Sequence, residues 1–475
     1  MNTIKLSLGI LLFAAMSRGQ MYDTVIANGR VMDPESGLDA TRNIGVRDKR
    51  IAAISAAPLQ GKMVIDAHGK VVAPGFIDLH SHGQDDENYH FKAHDGVTTA
   101  LELEIGVFPV APFYASRQGK ALVNFGASSG HVPARMAVMH DTGDFLPRDQ
   151  AAHRVATAEE TLSIVNDVRR GLDDGAMGIG FGIAYVPTAP RQEILRLFQL
   201  AAERHVQVFV HMRGGVAEEP QSGALPALQE VIADAAVTGV SLHVVHITSV
   251  CAKLVPNCLE MIEGARKHGI DVTTEMYPYT ASASRIESAL YDGDWEARTG
   301  FKFHDLQWAA TGERLTAESF TKYRKQGGSV IAHTLPEEAL RAGLRSPMVM
   351  FASDGRLAGG KGHPRSSGTF ARVLGLYVRE QKVIPLMDAL RRMTLMPAQR
   401  LESMIPAMQN KGRIKIGADA DLVAFDADRI IDKATFENPA QYSEGIEQVM
   451  VGGVLVIRDG KFVEGVYPGV GIRTK

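Results

Sequence analysis

At 475 residues the chain is long enough for one catalytic domain of roughly 300 residues or more plus a smaller one. Charged residues make up 22% and hydrophobic residues 45%, an ordinary globular balance, with no low-complexity tract and no short-period repeat. A formal net charge of −3 without a run of Lys or Arg excludes a basic footprint for nucleic acid.

Met1–Gln20 stands apart. Lys5 precedes the apolar stretch Leu6–Met16, and Ser17-Arg18-Gly19 supplies small residues at the positions a leader peptidase reads. The pattern predicts a signal peptide over residues 1–19 and export to the periplasm or the medium. About 11 apolar residues are too few to span a bilayer, so no membrane association is expected after cleavage. From Tyr22 the sequence reads as short β segments: Tyr22–Ala27, Gly29–Met32, Asn43–Arg47, Arg50–Ser55 and Met63–Asp66, punctuated by Asn28-Gly29 and Asp33-Pro34. The same texture returns at Ala420–Phe425, Gln448–Val451 and Val454–Arg458. Neither end can hold a core alone. Residues 20–72 and 412–475 are therefore predicted to combine into one small β-sandwich domain.

Residues 73–411 alternate strand-like and helix-like segments, the pattern of βα units around a parallel sheet. The strand candidates are Phe76–His80, Thr98–Glu104, Met136–His140, Ala176–Phe181, Val206–His211, Leu242–Ile247, Asp271–Tyr277 and Val349–Ser353. Amphipathic helices are expected between them, at Ala158–Gly171, Gln192–Arg204, Ala224–Val237 and Leu259–His268. Ala281–Leu335 breaks the alternation and reads as an inserted excursion with one strand at Ser329–His333. The fold class is α/β, a (β/α)8 TIM-like barrel with the β domain beside it. Cys251 and Cys258, seven positions apart on a predicted helix, would lie roughly 10 Å apart along its axis, so two buried thiols are expected rather than a disulfide.

The chemistry is expected at strand ends. His80 and His82 are two apart in an extended segment and can face one cation. Gly83 and the acidic run Asp85-Asp86-Glu87 follow them and favour a site there. His211 closes one later strand and His246 another. Any one of these could be a core histidine, but four at the ends of barrel strands are hard to explain by packing. In Thr98–Glu104, Glu102 and Glu104 share one strand face, and a carboxylate pointing into a barrel is costly unless a cation answers it. Glu104 is the expected ligand because it is nearer the catalytic end, with Glu102 the alternate. Asp354 stands where a general base can take a proton from a water acidified by a divalent ion and return it to a leaving amine.

These residues resemble the amidohydrolase superfamily and, within it, the N-acyl-D-amino-acid deacylase (D-aminoacylase) family. The resemblance runs over nearly the whole mature chain. It rests on Ala73–His82, Asp95-Gly96-Val97-Thr98-Thr99, His211-Met212-Arg213, Tyr277–Ala281, Ser353-Asp354-Gly355, Gly362–Gly375, Met393–Ala398 and Gly417–Val423. It implies zinc-assisted hydrolysis of the amide in N-acyl-D-amino acids, with one or two divalent ions. It implies His80, His82, His211 and His246 as ligands and Asp354 as the catalytic aspartate. Tyr279, Arg365 and Arg213 fall in blocks implied to bind a small-molecule N-acyl amino acid or dipeptide-like substrate. Two departures stand out. The family's usual Cys ligand is absent from Leu103-Glu104-Ile105-Gly106, so a bridging Glu104 would make a site of nitrogen and oxygen donors only. Thr248 stands where the family often has Lys.

Three other readings compete. A cyclic-amide hydrolase of the dihydroorotase or hydantoinase kind commonly needs a carboxylated Lys on the fourth strand, and Ala176–Phe181 has none. A dipeptidase would cleave the same bond type. An inactive scaffold on the same barrel is the non-enzymatic alternative.

Overall fold

The computed structural model of the protein describes residues 21–214 and 223–474. The predicted signal peptide lies outside the described residues.

The chain opens with β1 (Met21–Asp33), β2 (Leu38–Arg47), β3 (Arg50–Ser55), β4 (Gln60–Asp66) and β5 (Val71–Pro74). It then enters the barrel through β6 (Phe76–Asp78), β7 (Val97–Val107), β8 (Asn124–Gly130), β9 (Ile179–Gly182), β10 (Val208–His211), β11 (Leu242–Val244) and β12 (Val272–Met276). An excursion carries β13 (Ser282–Arg285), β14 (Leu306–Trp308) and β15 (Ser329–Ala332) before the barrel resumes at β16 (Val349–Phe351). A small hairpin, β17 (Leu357–Ala358) with β18 (Lys361–Gly362), follows. The chain returns to the first domain through β19 (Leu422–Phe425), β20 (Ile446–Val451), β21 (Val454–Arg458) and β22 (Lys461–Phe462).

Among the described residues the barrel has eight strands in sequence order, each paired in parallel with the next. Its two ends meet through side chains and loop backbone. Asp78 accepts from the Ser353 backbone N–H at 2.9 Å and from its hydroxyl at 2.6 Å, and the Asp354 N–H donates to His80 O at 2.7 Å. Lys92, almost fully buried, balances Asp78 at 2.8 Å, since a buried carboxylate needs a partner. Ile77, Leu79, Leu101, Leu103, Met177, Phe209, Val245 and Met350 pack together as the barrel's interior, so the residues beyond them stand on a filled core at its C-terminal mouth.

The β domain is built from both chain ends, as expected. β5 and β19 pair antiparallel, joining the N- and C-terminal strands into one continuous sheet that encloses a separate core including Ile26, Ile44, Ile51, Leu422 and Met450. The break expected at Asn28-Gly29 is a bulge inside β1 rather than a turn, with Asn28 at φ +61°.

Two expectations at this level are overturned. Met136–His140 is not the third barrel strand, because Met136 lies in the helix His131–Val138 and the strand is the small-residue segment β8. Cys251 and Cys258 form a disulfide. They do not share one helix: the turn Ile247–Cys251 breaks at Ala252 (φ +42°) before the helix Val255–Lys267, and this bend brings their Cα atoms to 6.7 Å.

Candidate active site

The four predicted histidines, Glu104 and Asp354 converge at the mouth of the barrel. His80 Nε2 lies 3.2 Å from Glu104 Oε2 and 3.4 Å from Asp354 Oδ1. His82 Nε2 lies 3.1 Å and 3.2 Å from the same two oxygens. The other Glu104 oxygen faces His211 Nδ1 at 2.8 Å and His246 Nε2 at 3.6 Å. The donor atoms form three overlapping triads: His80, His82 and Glu104; Glu104, His211 and His246; and His80, His246 and Asp354. Within each, all donor atoms lie within 4.8 Å of one another. Glu104 thus stands between two halves of one cluster.

A second layer of carboxylates fixes two of these rings. Glu275 on β12 holds His80 Nδ1 at 2.7 Å, and Glu102 holds His82 Nδ1 at 2.8 Å, so both rings present Nε2 inward. This is the arrangement in which an outer carboxylate sets the tautomer of a metal-ligating histidine. His243 sits 3.3 Å behind Glu275. The general rule that a carboxylate inside a barrel strand needs a positive partner pointed to Glu102 and Glu104. Applied to Thr274-Glu275-Met276, it would have found Glu275 as well.

The electrostatics show what the cluster demands. Burial disfavours a charged His80 ring, but Asp354, Glu275 and Glu104 outweigh it and push its pKa up to about 10. His82 is raised in the same way, burial being overcome chiefly by Glu102. Burial also resists ionisation of Glu104 and Asp354. His80 nevertheless holds Glu104, and Arg365 with His80 holds Asp354, well below the usual carboxylate range. For Glu275, burial is outweighed by His80 and His243, which bring it down to about 2. His246 goes the other way, lowered by burial and then by His211. Ionised carboxylates buried against imidazoles call for positive charge at their centre.

Backbone geometry sharpens the mouth. His246 (φ +32°) and Asp354 (φ +51°) both adopt left-handed conformations, which cost energy for residues with a Cβ and recur where side chains are aimed at a site. The acidic run after His82 proves to be scaffolding: Asp85 caps the helix Asp86–His94 by accepting from the Asn88 N–H, and Glu87 accepts from the N–H groups of Gly359 and Gly360.

The cleft over the cluster has two chambers that meet at Tyr185, Ala283, Ser284 and Asp354. Arg365 lines one, its Nη1 2.9 Å from Asp354 Oδ2 and its Nε buried without a hydrogen-bond partner. Tyr279 reaches neither chamber. Its hydroxyl is 3.2 Å from Asp432 Oδ2, and Arg372 covers its ring, because β12 ends at Met276 and the chain has turned away by residue 279. Tyr277, two residues earlier, lines the second chamber and lies under the Arg365 guanidinium at 4.4 Å. Arg213 is likewise not brought to the cleft. It is held at 3.1 Å by the Glu230 carboxylate, whose side chain is nearly buried, and by Pro187 O. Tyr185, which the sequence did not flag, stacks edge-on against His211 at 4.8 Å and lines both chambers.

The chain is similar to proteins of known activity. An N-acyl-D-glutamate deacylase of Alcaligenes xylosoxydans xylosoxydans is 30% identical over 92% of this chain and 94% of its own length. A D-aminoacylase of the same organism is 28% identical over 94% and 97%. The crystal structure of an N-acyl-D-glutamate deacylase from Bordetella bronchiseptica, complexed with zinc and a phosphonate mimic of the tetrahedral intermediate, superposes with a TM-score of 0.80. It is 27% identical, covering 96% of this chain and all of that one. Residues 71–456, which contain the whole cluster, match the amidohydrolase family, and the chain belongs to that family.

Proposed function

We propose that the protein is a metal-dependent deacylase that hydrolyses the amide of N-acyl-D-amino acids. The observation that carries this is the placement of Glu104 and Asp354 among four histidines, two of them braced from behind by Glu275 and Glu102. The relatives named for N-acyl-D-glutamate and for D-amino acids support the substrate class.

His80, His82, Glu104, His211 and His246 would hold one or two divalent ions. An all-nitrogen and oxygen donor set with ordered outer partners suits zinc. When bound, the metal supplies the positive charge that polarises the amide carbonyl and acidifies the attacking water. Asp354 does the proton work. Held ionised beside Arg365, it takes a proton from water as the oxygen attacks the carbonyl carbon. It then passes that proton to the amide nitrogen as the C–N bond breaks, leaving a carboxylic acid and a free amino acid. Arg365 is placed to grip the α-carboxylate, since planar guanidinium can offer two parallel donors. Tyr277 takes the neighbouring position that the sequence assigned to Tyr279.

Export belongs to the same reading. The leader-like Met1–Gly19 is supported by the Cys251–Cys258 disulfide, a bond favoured in oxidising compartments.

The test is a matched pair: an N-acyl-D-amino acid and the N-acyl amine that lacks its carboxylate. The acid should be hydrolysed and the amine should be a far poorer substrate. Equal rates would leave only a general amidase.

A further inference from the structure

The four histidines of the centre are not held alike. Glu275 and Glu102 fix the outer nitrogens of His80 and His82. His246 turns its Nε2 towards Glu104, and its Nδ1 is buried without a hydrogen-bond partner among the described residues. Its ring instead packs against His211 at 4.5 Å and His80 at 5.3 Å. The backbone must therefore aim it, and that backbone is left-handed at φ +32°, a conformation that persists where the surroundings impose it. The segment after His246 supplies the constraint. The turn Ile247–Cys251 starts from His246 O, which accepts from the Ser249 N–H and hydroxyl, both at 2.9 Å. Cys251 ends that turn and is bonded to Cys258, which shares the buried face of the helix Val255–Lys267 with Val255 and Ile262. Between the two sulfurs the chain passes Ala252 at φ +42°, a second left-handed residue with a Cβ. A bond closing so short a loop limits the conformations open to it.

Resting on the metal-dependent deacylase reading, we infer that Cys251 and Cys258 are positioning residues: their disulfide holds His246 on the metal centre. Without it, Ala252 can relax to right-handed backbone, the turn Ile247–Cys251 loses its fixed end, and the His246 ring moves with it. The loss is one-sided. Glu104, His211 and His246 depend on the bond, whereas His80 and His82 keep their own carboxylate braces. Opening the bond takes a dithiol: two electrons and two protons pass to the sulfurs, the S–S bond breaks to two thiols, and the dithiol closes to its own disulfide. With Cys251 1% and Cys258 0% exposed, the folded chain shields the bond from such exchange, so it serves as a fixture rather than a cycling switch. One half of the metal centre is thereby completed only in a chain that has been oxidised.

The experiment uses the full chain with zinc alone as the probe, its affinity read by dialysis against buffered zinc. Cys251→Ala with Cys258→Ala removes the bond and leaves no thiol to bind the metal. The pair is made in two backgrounds: His82→Ala, which leaves the side held by His211 and His246, and His211→Ala, which leaves the side held by His80 and His82. Loss of the bond should weaken zinc about tenfold or more in the first background and leave it unchanged in the second. A second measurement needs no variant. In the metal-free parent, opening the bond with a concentrated dithiol, confirmed by a count of two thiols, should speed amide exchange across Ile247–Cys251. Reoxidation should restore the protection. Zinc affinity indifferent to the bond, equal weakening in both backgrounds, or unchanged exchange on reduction would overturn the inference while the deacylase reading stands. A parent chain that binds no zinc would overturn the metal-dependent reading and this inference with it.

Discussion

Glu102 Oε2 lies 2.8 Å from His82 Nδ1, on the opposite side of the ring from Glu104, whose Oε2 faces Nε2 at 3.1 Å. Two carboxylates two positions apart on β7 therefore do different things: Glu104 presents itself to the shared centre, while Glu102 orients a ligand. Glu104→Gln should lose bound metal and activity together. Glu102→Gln should retain the site with affinity weakened by about 10- to 100-fold, the usual effect of removing an outer partner. Elemental analysis alongside turnover reads both, and the reverse ranking would transfer the ligand role to Glu102.

Asp354 is the proton carrier. Asp354→Asn keeps its shape and its place beside Arg365 but cannot accept a proton, so turnover should fall by a factor of about 10² or more. Metal content should hold. A near-normal rate would remove Asp354 from the chemistry.

Arg365 can either grip substrate or merely brace Asp354, and the kinetic constants separate the two. A gripping role predicts that Arg365→Lys raises KM about tenfold or more, because an ammonium cannot reproduce a two-pronged contact. A fall in kcat with KM unchanged would show that the guanidinium serves Asp354 alone.

Behind the barrel, Glu193 accepts from Arg135 at 2.6 Å and faces His131 at 2.7 Å, all three fully buried. Glu193→Ala leaves Arg135 charged and unanswered, so stability should drop by about 3–5 kcal/mol in denaturant melts. Burial would raise the Glu193 pKa, but His131 and Arg135 outweigh it and set it below its ordinary value. A depressed carboxylate contributes its stability above its unfolded pKa and loses it on acidification. This contribution should therefore be complete near neutrality, begin to decline below about 4.3 and be lost only as pH falls through the lowered folded-state pKa. A variant that melts like the parent at neutral pH would contradict the assignment.

The cluster was legible in the sequence where the chain signals itself. His80 and His82 share one extended segment, and His211 and His246 close apolar runs, so local pattern sufficed. β8 was missed because Asn124-Phe-Gly-Ala-Ser-Ser-Gly130 lacks the branched residues that mark a buried strand; its small side chains serve close packing instead. Ser128 and Gly130, for example, leave no room for a Cβ at Gly106. Tyr279 and Arg213 were misplaced for a different reason. Each sits just beyond a strand end, where the direction of a side chain is set by the turn and by distant partners, Asp432 and Glu230, that no local motif announces. The disulfide was hidden by the same cause, since a single bend at Ala252 undoes helical spacing.

We propose that this one centre hydrolyses N-acyl-D-amino acids with a metal ion. The most direct test is release of free amino acid from matched N-acyl-D- and N-acyl-L-amino acids by the zinc-loaded protein, before and after chelation. Release from the D substrates in preference to the L, loss of that activity on chelation and its return with zinc are expected. Absence of release from every D substrate, or release undiminished once the metal is stripped and shown to be gone, would contradict it.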